Sequence, residues 1–226
     1  MNILIPDWPA PSHIKAFTTL RNEARPDVNP LFEKQFSLPQ KPIWLNQVHG
    51  INVVEATHAY LNQDADAIFS KQTNEVCAVL TADCLPILLC NREGSKVAAI
   101  HAGWRSLSCG VVENTVESLS EVNDEWLAWL GPAIGPQCFE VGNDVWHAFV
   151  SRDPLSATGF KPKNSNKWLA NLYQLAKIRL TTLGINNTFG GDYCTYTQAD
   201  LFYSYRRNRG EKGRMASLIW IGDKAF

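Results

Sequence analysis

The sequence predicts an α+β fold, a single layered domain with a mixed β-sheet and flanking helices. Short apolar runs typical of strands follow one another through much of the chain, some separated only by hairpin-like turns, whereas helical periodicity is confined to three stretches. A doubly wound parallel sheet would instead require strands and helices in regular alternation. At 226 residues the chain is long enough for a full core, and we expect residues 1–226 to form one domain.

The predicted strands are apolar runs bounded by glycine, proline or polar residues. In chain order they cover residues 43–48, 51–55, 67–70, 76–90, 97–101 and 126–130. The predicted helices are stretches in which apolar residues recur three or four positions apart. They cover residues 108–119, 143–150 and 171–183, and Gly184 ends the last of them.

Two of these strands form a hairpin whose register follows from the sequence. The runs on either side of Asn91-Arg-Glu-Gly-Ser pair His101 with Pro86, whether the loop has two or four residues. Cys84 lies two residues from Pro86 and therefore on the face of His101, with Cα atoms roughly 7–8 Å apart. A thiolate and an imidazole at that spacing can both reach one metal ion at about 2.0–2.3 Å.

His49 is the third candidate ligand, in Asn46-Gln-Val-His-Gly at the end of a predicted strand, although the sequence does not place it against the other two. One cysteine and two histidines leave the fourth tetrahedral position open, as in catalytic zinc sites, where a bound water has a pKa of about 7. Each residue taken alone is more simply explained as part of the core. The combination indicates a metal site.

Several motifs in fixed order resemble the family of zinc-dependent purine nucleoside phosphorylases, formerly called multicopper polyphenol oxidases or laccases, which includes peptidoglycan editing factors. The resemblance is carried by Asn46-Gln-Val-His-Gly, Ala65-Asp-Ala, Thr81-Ala-Asp-Cys-Leu-Pro, His101-Ala-Gly-Trp-Arg, Gly131-Pro-Ala-Ile-Gly-Pro, Phe202-Tyr-Ser-Tyr-Arg-Arg and Gly213-Arg-Met-Ala. It implies an α-β-β-α arrangement, and zinc ligands at His49, Cys84 and His101.

The resemblance also implies the reaction. Adenosine, inosine and S-methyl-5′-thioadenosine would be cleaved with phosphate to a free base and a sugar 1-phosphate, and adenosine would be deaminated in a second activity. Deamination follows from the metal site as well, because metal-activated water can attack the purine carbon that bears the amino group. Phosphorolysis requires a phosphate site, and the part that the metal has in it stays open.

Candidate phosphate ligands are arginines, whose guanidinium groups match phosphate oxygens. The segment from Tyr205 to Arg214 contains four arginines and a lysine, which composition alone would explain as a solvated basic turn. The resemblance favours a substrate or phosphate contact for Arg206 and Arg214, and also for Arg21 in a Thr-Thr-Arg-like segment. Arg105 is a further candidate, whereas Arg207 and Arg209 are interpreted as surface charges.

The chain departs from the family pattern after Arg21. A Gly-rich stretch and an Asn-Leu-Gly element normally follow that segment, but here Phe17-Thr-Thr-Leu-Arg-Asn continues into Glu23-Ala-Arg-Pro. We therefore expect a segment that covers the substrate in other members to be shortened here.

Three other functions use the same residues. A multicopper oxidase would require many more imidazoles than the five histidines present, so copper is disfavoured. In a hydrolase acting on an amide or a peptidoglycan precursor, Cys84 would be the nucleophile beside His101. A binding module would keep the pocket without needing the metal.

The remaining polar residues of these motifs are predicted to have structural roles. Asp64 and Asp66 could form a carboxylate pair for a second metal, but a turn before a strand explains both more simply. Asp83 points away from the face of Cys84, so it is expected to support the ligands or the fold and not to act as a general base. His13, His58 and His147 have no partner pattern, and Trp104 is a candidate wall of a base-binding pocket.

Composition argues against several classes of protein and indicates where the chain is located. With 45% hydrophobic and 19% charged residues the chain is neither disordered nor fibrous, and a net charge of −1 argues against broad nucleic-acid binding. No apolar run is long enough to span a membrane, and the N-terminal residues do not resemble a signal peptide. The six cysteines lack the context of a disulfide scaffold, so reduced thiols and a cytoplasmic location are expected. The predicted partners are small molecules, and no oligomeric state is predicted.

Overall fold

The structure is a computed structural model that describes residues 3–21, 25–57, 62–119 and 125–223. Its strands are β1 (Ile3–Leu4), β2 (Ile14–Thr19), β3 (Val53–Glu55), β4 (Ala67–Ser70), β5 (Cys77–Thr81), β6 (Leu85–Asn91), β7 (Val97–Ala102), β8 (Trp126–Leu130), β9 (Glu140–Gly142), β10 (Phe160–Asn164), β11 (Lys167–Ala170), β12 (Asn187–Gly190) and β13 (Met215–Ile221). Its α-helices are α1 (Phe32–Phe36), α2 (Trp104–Cys109), α3 (Val111–Leu119), α4 (Asn143–Val150) and α5 (Leu172–Thr182).

The strands form three sheets. The largest has six strands in the order β12-β8-β6-β7-β4-β3, parallel at its two outer pairs and antiparallel between. The second has four antiparallel strands in the order β1-β2-β13-β5. A small antiparallel sheet, β10-β11-β9, completes the set. A mixed sheet is therefore present, as predicted.

The two larger sheets pack face to face, and helices cover their outer faces. Leu88 of β6 joins Val79 of β5 and Ile219 of β13 in the cluster between the sheets. Ile87 and Leu89, one position away along β6, point to the opposite face, where the cluster includes residues of α2 to α5. On the outer face of the four-stranded sheet, a third cluster contains Phe32 of α1. The order of layers is α-β-β-α, so the predicted α+β class is confirmed.

The central strands are mainly apolar because both faces are covered, and their polar residues are Asn91 at the end of β6 and His101 near the end of β7. Every residue of β6, β7 and β8 is buried. Continuous hydrophobic runs are expected of strands between two layers, whereas half-exposed strands alternate. The predicted hairpin is confirmed in register, since β6 and β7 pair Pro86 with His101.

Some predicted boundaries are wrong. The run at residues 76–90 divides into β5 and β6, which belong to different sheets, and Cys84 lies in the turn between them. Residues 43–48 make only isolated bridges, from Ile43 and Asn46, and are not a strand. The helix predicted at residues 108–119 is two helices, because Gly110 adopts a φ of 105° at the end of α2.

The other predicted elements agree closely with the structure. Strands β4 and β8 and helix α4 have the predicted limits, and α5 lies within the predicted range. Asn171 caps α5 by accepting a hydrogen bond from the Gln174 N–H at 3.1 Å. Within the described ranges, none of the helices is both long and apolar enough to cross a membrane.

Candidate metal centre and adjoining cavity

His49, Cys84 and His101 meet where the chain passes from one sheet to the other. Their ligand atoms all lie within 4.8 Å of one another, so the group could hold a metal ion. His101 is near the end of β7 and is buried, Cys84 is half-buried before β6, and His49 is exposed in the loop before β3. The group is thus buried at His101 and accessible to solvent at His49.

Asp66 holds two of the three candidate ligands in place. Its fully buried carboxylate accepts a hydrogen bond from His101 Nδ1 at 2.6 Å and from the His49 N–H at 3.0 Å, both at Oδ1. Oδ2 accepts from the N–H groups of Gly50 at 2.5 Å and Val48 at 3.3 Å. A carboxylate on one ring nitrogen directs the other towards a metal, as is common around histidine ligands. The turn predicted here therefore has a functional residue that sequence reasoning missed.

The backbone of His49 also depends on this carboxylate. His49 has a φ of 59°, in the left-handed region that residues other than glycine rarely occupy. Three successive N–H groups, those of Val48, His49 and Gly50, point at Asp66 as a result. The strained conformation is compensated by these hydrogen bonds, which fix the direction of the His49 side chain.

The electrostatics of the group are strongly coupled. Burial lowers the pKa of His101, but the negative charge of Cys84, followed by the hydrogen bonds to Asp66 and Cys84, raises it to about 9 overall. Burial and the proximity of His101 lower the pKa of His49. Burial acts to raise the pKa of Asp66, yet the hydrogen bond and charge of His101 and the N–H groups of Gly50 and His49 lower it overall. Positive charge is thus stabilised on His101 and disfavoured on His49.

Gly103 leaves the space between the ligands free. A Cβ atom at this position would lie 2.7 Å from His49 Nδ1, closer than side chains tolerate, and 3.2 Å from Cys84 Sγ, a tight contact. The φ of Gly103 is −61°, which any residue can adopt, so the need for glycine is steric only. A soft thiolate with two imidazoles is a donor set that suits zinc. The gap beside Gly103 and the convergence of these donors fit such an ion.

A cavity of about 790 Å³ opens above the three ligands. Its lining residues include Arg25, Arg105, Arg206 and Arg214, together with Asp27 and Asp83. The Arg105 guanidinium lies over the Trp104 ring at 4.3 Å from its centroid, and Trp104 also lines the cavity. Cationic and aromatic groups thus surround one space beside the metal-binding residues.

The predicted arginines divide into two groups. Arg206 and Arg214 line the cavity, where Arg206 Nη1 donates to the Glu140 carbonyl at 2.9 Å. Arg21 lies outside it, donating to the Ala199 carbonyl at 3.0 Å and packing over Tyr203. Arg25, which sequence reasoning did not select, lines the cavity and forms an ion pair with Asp27 at 2.6 Å.

Arg207 is not the surface charge that was predicted. Its guanidinium donates to the carbonyl groups of Thr195 at 2.6 Å, Tyr196 at 2.9 Å and Phe202 at 2.7 Å. These hydrogen bonds hold the loop that contains Thr195 against the segment that carries Arg206. Arg209 is exposed, in agreement with the prediction.

Asp83 connects the metal-binding turn to the arginine segment. Its Oδ2 accepts from the Arg206 N–H at 2.6 Å, and its Oδ1 accepts from the Thr195 hydroxyl at 2.6 Å. Asp83 is buried and has a φ of 90°, so the turn is strained where it presents Cys84. The supporting role predicted for this residue corresponds to these contacts.

The other histidines lie elsewhere. His13 hydrogen bonds the Gly94 carbonyl at 3.0 Å, and His147 is exposed on α4 beside Trp146. His58 lies outside the described residues. Asp64 is exposed and accepts from Asn46 Nδ2 at 2.6 Å, which fits the predicted turn.

Fold and site together define a layered α+β protein with a His/Cys/His group beneath an arginine-lined cavity. The model of the family described as multi-copper polyphenol oxidoreductase laccase matches residues 27–222. The chain belongs to this family, and the resemblance seen in its motifs is confirmed.

Individual relatives agree with this assignment. Purine nucleoside phosphorylase YfiH of Escherichia coli is 44% identical over 241 residues, covering 97% of this chain and 98% of the relative. A purine nucleoside phosphorylase of Pseudomonas aeruginosa is 43% identical over 240 residues, with the same coverage of 97% and 98%. The crystal structure of Neisseria meningitidis protein NMB0706 superposes with a TM-score of 0.92 at 42% identity, covering 99% of this chain and 100% of that one.

The alignment with the Escherichia coli relative spans 241 positions, more than the 226 residues of this chain. The relative therefore contains residues that have no counterpart here. The shortened segment predicted after Arg21 stays a prediction.

Proposed function

We propose that this protein is a purine nucleoside phosphorylase that binds zinc through His49, Cys84 and His101. Its substrates are adenosine, inosine and S-methyl-5′-thioadenosine with phosphate, and its second activity is the deamination of adenosine. The observation that carries the proposal is the position of the ligand group at one side of a cavity whose wall is cationic. The names of the relatives from Escherichia coli and Pseudomonas aeruginosa support the same reaction.

The donor set supports zinc over copper oxidase chemistry. Three ligands leave one position open for substrate or water, as in catalytic zinc sites. Zinc, when bound, would supply a Lewis acid at the open side of the group. A multicopper oxidase would require several such groups, and the chain has only five histidines for them.

The residues around the ligands have distinct proposed roles. Asp66 directs the Nε2 atom of His101 towards the ion by occupying Nδ1. Trp104, with Arg105 stacked on it, offers an aromatic wall for a purine base. Arg206 and Arg214 provide the positive charge that would hold phosphate against the sugar carbon, where the bond to the base breaks.

The size of the cavity agrees with two ligands bound at once. About 790 Å³ is at the upper end of the range of small-molecule pockets, which run from about 300 to 1,000 Å³. A nucleoside alone would leave room beside it. We propose that phosphate occupies that space, next to the arginines.

The test separates the two activities. Replacing Arg206 by Ala removes a charge-assisted contact, so the apparent Michaelis constant for phosphate should rise about 10- to 100-fold. Deamination of adenosine uses water instead of phosphate and should change much less. Arg209→Ala is the matched control, because Arg209 is on the same segment and exposed like Arg206 but does not line the cavity.

Two results would contradict the proposal. An equal loss of both activities in Arg206→Ala would mean that the arginine has a structural role or binds the nucleoside. Failure of the wild-type protein to release base in the presence of phosphate would remove the phosphorylase assignment.

A cysteine hydrolase is the second candidate because the Cys84 sulfur lies within 4.8 Å of a ring nitrogen of His101. A thiolate beside an imidazole is also the arrangement of a nucleophile and its base. The third residue, His49, favours the metal site, since its ring nitrogen lies within 4.8 Å of both. Alkylation of Cys84 by iodoacetamide distinguishes them: a free nucleophile reacts, whereas a zinc-bound thiolate is protected until a chelator removes the metal.

A further inference from the structure

Asp27 lines the cavity with a carboxylate that has no role in the proposed reaction. Among the described residues of the lining, the other carboxylate is that of Asp83, whose two oxygens already accept from the Thr195 hydroxyl and the Arg206 N–H. Asp83 is buried, whereas the side chain of Asp27 keeps 18% of its surface exposed. Asp27 is therefore the carboxylate that a molecule in the cavity can reach.

The backbone around Asp27 forms a short, constrained turn. Residues Pro26–Val28 make one turn of 3-10 helix, in which the Asn29 N–H donates to the Pro26 carbonyl at 3.4 Å. Pro26 is buried, and its ring fixes the backbone φ of the residue before Asp27. The Asn29 side chain accepts from the Leu31 N–H at 3.0 Å, immediately before α1. These contacts fix the place of Asp27 in the cavity lining.

Arg25 fixes the orientation of the Asp27 carboxylate. Its Nε donates to Oδ1 at 3.0 Å and its Nη2 donates to Oδ2 at 2.6 Å, so the ion pair has two points of contact. A carboxylate can accept about four hydrogen bonds, two at each oxygen, so each oxygen keeps an acceptor site after pairing with Arg25. The pair therefore offers two adjacent acceptors, and the arginine balances the negative charge.

Two adjacent acceptors suit neighbouring hydroxyl groups better than they suit phosphate. A carboxylate that accepts a hydrogen bond from a ribose hydroxyl is a common feature of dinucleotide-binding proteins. Phosphate would be repelled by the charge of Asp27, whereas Arg206 and Arg214 attract it. The two parts of the lining thus differ in the groups that they favour.

The substrates of the proposed function share the hydroxyl groups in question. Adenosine and inosine differ in the group on the purine ring, and S-methyl-5′-thioadenosine differs from adenosine at the 5′ position. All three retain the 2′- and 3′-hydroxyl groups of ribose. A contact that serves all three substrates can therefore be made to these hydroxyls.

We propose that Asp27, oriented by Arg25, binds the 2′- and 3′-hydroxyl groups of ribose and makes the protein selective for ribonucleosides, a role that rests on the proposed function. Each hydroxyl donates to one carboxylate oxygen. A deoxynucleoside leaves that oxygen without a donor, and loss of a hydrogen bond to a charged group lowers affinity about 10- to 100-fold.

Calorimetry with inosine tests this contact without turnover. Inosine has no amino group to lose and is not phosphorolysed in phosphate-free buffer, so the zinc-loaded protein should bind it unchanged. 2′,3′-Dideoxyinosine lacks both hydroxyls and should bind the wild type at least about 10- to 100-fold more weakly. Asp27→Ala should weaken the binding of inosine by the same factor and leave that of 2′,3′-dideoxyinosine nearly unchanged.

Two further variants sharpen the comparison. Asp27→Asn keeps one acceptor oxygen, so its preference for inosine should lie between those of the wild type and Asp27→Ala. Asp144→Asn is the matched control, because Asp144 is exposed on α4 and does not line the cavity, and it should keep the wild-type preference. Circular dichroism and zinc content show that each variant retains its fold and its metal.

Equal affinity of the wild type for inosine and 2′,3′-dideoxyinosine would overturn the proposal. An equal loss of affinity for both nucleosides in Asp27→Ala would also overturn it, because a residue that only supports the turn affects both alike. Binding of both nucleosides without discrimination would leave the proposed function standing. Absence of inosine binding to the wild type would instead remove the proposed function, and the role of Asp27 with it.

Discussion

Replacing Asp66 by Asn is the most informative single change, because one carboxylate supports two candidate metal ligands. Oδ1 accepts hydrogen bonds from His101 and His49, and Oδ2 accepts from Val48 and Gly50. An amide has only one oxygen, so its NH₂ group must replace either Oδ1 or Oδ2. In either orientation, two of the four hydrogen-bond donors then face an NH₂ group and lose their acceptor. Each buried donor that loses its acceptor costs about 1–3 kcal/mol, which gives a loss of roughly 2–6 kcal/mol in the free energy of unfolding.

Metal binding should weaken in the same variant. Without the carboxylate, His101 is no longer held with its Nε2 atom towards the ion, and loss of such a partner lowers metal affinity about 10- to 100-fold. Zinc affinity is measured by competition with a chromogenic chelator on protein shown to be folded by circular dichroism. Urea unfolding of the metal-free protein gives the stability.

Asp64→Asn provides the matched control. It makes the same chemical change two residues away, at an exposed side chain, and should alter the unfolding free energy by no more than about 0.5 kcal/mol. Wild-type zinc affinity in Asp66→Asn, or a stability loss equal to that of the control, would refute the role assigned to Asp66.

Three further predictions concern the space between the ligands, the titration of the site and the core. Gly103→Ala should abolish zinc binding while the protein stays folded, because the new Cβ would lie 2.7 Å from His49 Nδ1; zinc binding equal to wild type in calorimetry would contradict it. His101 has a folded pKa of about 9 against an ordinary 6.5, so the stability gained from its protonation is complete below pH 6.5 and is lost as the pH rises through 9. The unfolding free energy of the metal-free protein should fall across that window, and His101→Asn should flatten the fall. Phe149→Ala, at a fully buried position of α4, should lower the free energy of unfolding in urea by about 3–5 kcal/mol without changing zinc affinity.

The hairpin of β6 and β7 could be predicted in detail because its constraints are local. Its short loop sets the register, which pairs Pro86 with His101, whereas Cys84, predicted as part of the strand, lies in the turn just before β6. The sequence alone thus predicts that two of the three candidate ligands lie close together, and their ligand atoms are within 4.8 Å of each other.

The position of His49 could not be predicted in the same way. Its loop is held by Asp66 and by the side chain of Gln47, whose amide accepts from the Leu80 N–H at 2.7 Å and donates to the Leu80 carbonyl at 2.8 Å. This amide takes the place of a backbone partner beside β5. The apolar run at residues 43–48 therefore resembles a strand in sequence, yet most of it makes no strand pairing.

Asp66 was missed for a related reason. A short polar segment before a strand normally indicates a turn, and nothing local distinguishes a buried aspartate from an exposed one. Its partners are 16 to 35 residues distant in the chain. The one available signal was the small apolar surroundings, Ala65 and Ala67, which suit a buried carboxylate that needs donors.

The metal content of the purified protein tests the central claim most directly. Elemental analysis should find about one zinc per chain in the wild type, and Cys84→Ala should retain little of it, because removal of one of three protein ligands leaves too few donors. Cys109→Ala, which removes an exposed cysteine away from the group, should keep the wild-type content. Full zinc occupancy in Cys84→Ala, or a stoichiometric metal other than zinc in the wild type, would contradict the assignment of His49, Cys84 and His101 as its zinc ligands.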